Sequence, residues 1–132
     1  MTSANVDIIR RGLDAYNRGD VEAVLETADP DIEFIPLRSL VVGGSYRGHE
    51  GIRRFFEDLD EEWETRVIGD ADFREREDSV LLLGEFEAKG KASGMQVHSP
   101  VAWLFDLRAG KVVRMRAYSS QEEALRAISG SE

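Results

Sequence analysis

A chain of 132 residues with 42% hydrophobic content has the size and apolar fraction of one globular domain, expected over residues 1–132. It is long enough to bury roughly two-thirds of its unfolded surface. A net charge of -9 argues against nucleic acids and anionic membranes, which need a basic surface. The absence of cysteine excludes disulfides and thiolate chemistry, and two histidines, His49 and His98, argue against a multi-histidine zinc site, so no metal or cofactor is expected.

In chain order, Met1-Thr-Ser-Ala-Asn5 lacks the basic and apolar segments of a signal peptide, and no apolar run approaches a membrane span. A cytoplasmic protein is therefore expected. Val6, Ile9, Leu13 and Tyr16 repeat at helical spacing and predict a helix from about Asn5 to Arg18. Ser3 or Asn5 is its cap and Gly19 its stop. Asp20 caps a shorter helix carrying Val21, Val24 and Leu25, which ends at Asp29-Pro30 because the residue before proline is pushed out of the α region. Ile32 to Leu37 reads as a short strand, and Arg38 to Ser45 as a loop with an apolar portion, Leu40-Val41-Val42.

The chain then reaches the stretch around which the rest is organised, Ser45 to Leu59. Ile52, Phe55, Phe56 and Leu59 form one apolar helical stripe, and Gly48 and Gly51 break up its entry, so Tyr46 belongs to a turn beside the helix. Beyond it the period changes to two. Strands are predicted over Trp63–Gly69, with Trp63, Thr65 and Val67 on one side, over Val80–Lys89, over Val97–Leu107 and over Lys111–Tyr118. Turns fall at Gly90, Ser93 and Gly94 and at Ala109-Gly110. Ser120-Gln-Glu-Glu123 is a capping box that opens a last helix with Ala124, Leu125 and Ile128. Helices followed by a strand meander predict an α+β fold with helices on one face of a curved antiparallel sheet.

Tyr16-Asn17-Arg18-Gly19-Asp20, Asp29-Pro30-Asp31, Tyr46-Arg47-Gly48-His49-Glu50-Gly51-Ile52, Gly110-Lys111-Val112-Val113-Arg114 and Tyr118 with the helix after it are together similar to the SnoaL-like branch of the nuclear-transport-factor-2-like superfamily, which also resembles ketosteroid isomerases. The resemblance implies a cone-shaped sheet wrapped around N-terminal helices, an apolar pocket between them, and a homodimer through the outer sheet face. It does not imply one function, because the superfamily includes isomerases, cyclases, dehydratases, epoxide hydrolases and non-catalytic binders.

Carried over position by position, the isomerase machinery is missing. A carboxylate base would precede Pro36, where Ile35 stands. The helix tyrosine matches Gly12, and the strand aspartate falls at Ala102 or Trp103. An epoxide-hydrolase-like reading would rest on Asp106 and Arg108, which are better read as hairpin charges. His98 alternates with Val97, Ser99, Val101, Trp103, Phe105 and Leu107, so if those face the cone it faces outward. His49 begins a helix, as a polar cap or an exposed residue. Glu85 and Glu87, alternating with Leu82, Gly84, Phe86 and Ala88, and Arg114 and Arg116, alternating with Val113, Met115 and Ala117, are placed on the outer face.

What remains inside is Phe34, Tyr46, Phe56, Trp63, Phe86, Trp103 and Met115, as core or as pocket lining. Tyr16 and Arg38 are the polar groups closest to it. The expected function is binding of a small hydrophobic molecule in an apolar cone pocket. An isomerase, cyclase or dehydratase acting on a hydrophobic carbonyl compound is the alternative, and a protein-interaction module the third reading.

Overall fold

The structure, a computed structural model, describes residues 3–130. Two helices open the chain, α1 (Ala4–Arg18) and α2 (Val21–Glu26). Strand β1 (Ala28–Ile35), a third helix α3 (Leu37–Val42), the two-residue strand β2 (Tyr46–Arg47) and helix α4 (Gly48–Glu62) follow. Four strands, β3 (Trp63–Arg76), β4 (Ser79–Gly90), β5 (Gln96–Arg108) and β6 (Lys111–Ala117), lead to helix α5 (Gln121–Ser129). All the strands share one six-stranded curved sheet of order β2-β1-β6-β5-β4-β3, antiparallel except where β1 runs parallel to β6.

The helix boundaries follow local chemistry. The Ser3 hydroxyl accepts from the Val6 N–H at 3.0 Å, and Gly19 closes α1 in the left-handed region at φ 73°. Asp20 accepts from the Ala23 N–H at 3.2 Å, and Ser120 from the Glu123 N–H at 3.1 Å. The predicted Arg38–Ser45 loop is instead a short helix, α3, started at Pro36 and ended at Gly43. The strand expected to start at Ile32 already begins at Ala28. Pro30 has no N–H to donate, and the β1–β6 register shifts between Ala28 and Glu33.

Tyr46 precedes α4 as expected, but pairs with Phe34 as part of β2. Helix α4 lies directly against this strand: a Cβ on Gly51 would stand 2.8 Å from the Tyr46 carbonyl carbon. Its stripe of Ile52, Phe55, Phe56 and Leu59 is buried in the main core with Val6, Ile9, Tyr16, Ile32, Leu82 and Met115. Each such side chain contributes about 1.5–3 kcal/mol.

Two bulges shape β3. Its pairing with β4 shifts between Trp63 and Thr65 and again between Gly69 and Asp72, where Asp70 has φ 52°. The first shift overturns the expected alternation. Trp63 still points inward, but Thr65 and Val67 are exposed while Arg66 and Ile68 turn into the interior. The Asn17 side-chain amide holds this turn of chain in place, accepting from the Ile68 N–H at 2.9 Å and donating to its C=O at 3.0 Å. A similar slip against β5 near Val113 brings Val112 into the main core, leaving Val113 half-buried.

Elsewhere the expected alternation stands. Leu82, Phe86 and Ala88 of β4 and Val101, Trp103 and Phe105 of β5 face the helices. On the other face, Leu81, Leu83 and Ala102 form a second cluster with Ala124 of α5, flanked by Leu104, Tyr118 and Ile128. Helix α5 therefore covers part of the outer sheet face. No helix among the described residues is long and apolar enough to cross a membrane.

Candidate functional site

The concave side of the sheet and the helices enclose two spaces. The inner one, about 60 Å³, lies between α1 and the sheet and is lined by Ile9, Leu13, Tyr16, Phe34, Phe55, Phe56 and Trp103 among other apolar residues. Its walls offer a water almost nothing to bond. The outer one, about 380 Å³, opens between α3, α4 and the strands β4 to β6. It has the size of a small-molecule cavity. Trp63, Phe86 and Trp103 form its aromatic wall, with Trp63 and Phe86 edge-to-face at 5.6 Å. Leu37 and Val41 of α3 stand at its edge, and Val41 is 82% exposed.

Of the residues expected to line a pocket, Arg38, Tyr46, Trp63 and Phe86 line the outer cavity, Phe34 and Phe56 the inner one, and Tyr16 and Trp103 both. Met115 lines neither. It is fully buried core, at 0% exposure. The Tyr16 ring stands edge-on to Phe56 at 5.9 Å and to Trp103 at 5.7 Å. Burial pushes its phenol up to about 12, against the pull of the Arg66 guanidinium beside it. Arg38 is more than half exposed and 3.9 Å from Glu62, an ion pair of little energetic weight.

The cavity also holds a pair that sequence reasoning missed. The Tyr46 hydroxyl donates to Asp58 Oδ2 at 2.5 Å, and both residues line the outer cavity. Burial is the main cause that raises the Tyr46 phenol, followed by this hydrogen bond and the Asp58 charge, while Arg38 and Arg54 act the other way. Asp58 sits three residues after Phe55 on α4, at the flank of the apolar stripe. That spacing was the available signal, hidden within the acidic run Glu57-Asp58 and Asp60-Glu61-Glu62. Glu62, Ser99 and Tyr118 complete the polar part of the lining.

Arg66 was missed as well. Its side chain is only 9% exposed. Nη1 donates to Asp60 Oδ1 at 2.9 Å, while the guanidinium carbon lies 5.5 Å from the Tyr16 ring centre and 5.6 Å from that of Phe56.

The remaining candidates lie elsewhere. His98 is 63% exposed on the outer face, 3.0 Å from Glu85. His49 Nε2 lies 3.0 Å from the Ala28 carbonyl oxygen, tying the start of α4 to β1. Asp106 accepts from the Ser79 hydroxyl at 2.7 Å, and neither it nor Arg108 lines the cavity. Gly12 and Trp103, at two of the isomerase positions, line cavities but supply no acid or base.

A curved sheet wrapped around helices in this way is the nuclear-transport-factor-2-like fold, and solved structures similar to this one include a protein of that description. A nuclear-transport-factor-2-like protein of unknown function from Burkholderia pseudomallei superposes with a TM-score of 0.82 at 19% identity, over 96% of this chain and 98% of its own. TerC, co-crystallised with polyporic acid, gives 0.80 at 22% identity over 96% and 98%. A Xanthomonas campestris protein described provisionally as a polyketide cyclase gives 0.80 at 16% identity over 98% and 97%. Within that class the particular family is defined by sequence: residues 9–115 match the model of the SnoaL-like domain, and the chain belongs to that family. No functionally curated protein matches the sequence.

Proposed function

We propose that this protein binds a small hydrophobic molecule in the outer cavity. The observation that carries the reading is the 380 Å³ space walled by Trp63, Phe86 and Trp103, with few polar groups to orient a ligand. TerC, of the same fold, was crystallised with a small molecule, which supports the reading by analogy. A filled cone, as an interaction module would have, fits these dimensions less well. Two tryptophans on the wall make the test direct. Titration with steroid ketones, aromatic polyketides, terpenoid epoxides and fatty acids should quench or shift their fluorescence for one chemical class. A flat response to all four, from folded protein, would remove the reading. Any dimer would form through the part of the outer sheet face that α5 leaves uncovered, around Glu85, Glu87 and His98.

One observation favours the enzymatic alternative: a carboxylate and a phenol joined by a hydrogen bond on the cavity wall. Asp58 would accept a proton from a bound carbonyl compound and Tyr46 would donate to its oxygen, as an isomerase, cyclase or dehydratase requires. Neighbours described as polyketide cyclases are compatible with it. Exchange of the ligand's acidic C–H protons in D2O should then accelerate with wild-type protein. It should fall about 100-fold or more in Asp58→Asn, with binding retained. Exchange at the buffer rate with bound ligand would leave the binder.

A further inference from the structure

Arg66 is an expensive residue to place inside a cone. Taking a guanidinium out of water costs several kcal/mol unless its donors are met. Here Nη1 is met by Asp60, whose own side chain is 69% exposed, but Nε and Nη2 are buried without a well-formed hydrogen bond among the described residues, the Tyr16 phenol being the neighbouring group on which this guanidinium acts by charge and by hydrogen bonding. Those two nitrogens form the side edge of the guanidinium, the pair of parallel N–H donors that matches two oxygens of a planar anion. The guanidinium carbon lies near two aromatic ring centres, 5.5 Å from that of Tyr16 and 5.6 Å from that of Phe56. Arg66 itself lines neither cavity, and Tyr16, which lines both, stands between its guanidinium and the outer one.

We propose that the free Nε–Nη2 edge of Arg66 is an anion anchor, and that the molecule bound in the cavity is a flat hydrophobic acid whose carboxylate reaches this edge past the Tyr16 ring. The inference rests on the binding function proposed above and narrows its ligand to one chemical class. Aromatic surfaces around the guanidinium select a flat carrier, and the edge selects a planar two-oxygen group over a single hydroxyl or an amide. Asp58 and Glu62 line the same cavity, so the anion is not held at that side of it.

The test compares 2-naphthoate with its neutral match, 2-naphthamide, by tryptophan fluorescence titration. Wild-type protein should bind the carboxylate about tenfold more tightly or better. Arg66→Met should bring the ratio close to one. Arg66→Lys, which keeps a cation but loses the paired edge, should keep only part of the preference and covers the case in which the methionine variant fails to fold. Equal binding of acid and amide by wild type overturns the anchor and leaves the cavity reading standing, with ordered water as the partner of the two nitrogens. Binding of neither overturns the anchor, and the cavity reading falls with it only if the four-class panel above is flat as well. A preference that survives Arg66→Met but disappears in Arg38→Met assigns the anion to the mouth, and overturns the proposal.

Discussion

Tyr16 carries the clearest consequence of burial at the level of one side chain. Its phenol is raised from 10.0 to about 12, with desolvation as the main cause and Arg66 opposing. An unfolded tyrosine ionises near 10, so between about pH 10 and 12 the unfolded chain loses a proton that the folded chain keeps. The contribution is therefore complete below pH 10 and is lost as pH rises through 12, amounting to about 2–3 kcal/mol in all. Denaturant unfolding at pH 9 and pH 11.5 should show that loss, and Tyr16→Phe should remove most of it. Tyr46, raised by burial and by Asp58, adds to the loss in the same direction. Tyr16 was legible in the sequence because it lies on the apolar stripe of α1. Arg66 and Asp58 were not. An arginine in an alternating strand and an aspartate in an acidic run read as solvated until the packing around them is known.

At the scale of elements, α4 and β2 form a close joint beside the cavity. A side chain at position 51 would meet the Tyr46 backbone at 2.8 Å, so Gly51→Ala has to separate helix from strand. Overpacking of this kind costs about 1–3 kcal/mol. The displacement would also disturb the 2.5 Å bond from Tyr46 to Asp58. Thermal unfolding should show the destabilisation, and ligand titration a weaker complex. An unchanged melting temperature would mean that the joint gives way without strain. The elements themselves were largely readable: caps at Ser3, Asp20 and Ser120 and stripes of period 3.6 are local features. Helix α3 was not readable, because six residues with an exposed apolar face have neither length nor amphipathic pattern, and it forms between Pro36 and Gly43 over the cavity.

For the whole molecule, the proposed function predicts ligand-linked stability. An open cavity in the folded state that vanishes on unfolding couples binding to folding. A ligand at about one hundred times its dissociation constant should add roughly 2.7 kcal/mol. For a domain of this size that is several degrees in Tm, and calorimetry with and without ligand measures it. The fold that makes the cavity was legible as a class from spaced motifs, and the family match over residues 9–115 bears it out. By itself the sequence determined the helices other than α3, most strands, the α+β class and the inward side of β4 and β5, since each follows from propensity, capping and a period that local residues carry. Only the tertiary structure decided which way β3 faces after its bulge between Trp63 and Thr65, and with it the burial of Arg66. It also decided that Tyr46 meets Asp58 and that a space remains beside Trp103. The physical reason is that a one-residue slip between strands inverts every side chain beyond it. Where that slip falls depends on how two distant strands and a helix pack, not on the residues at the slip alone.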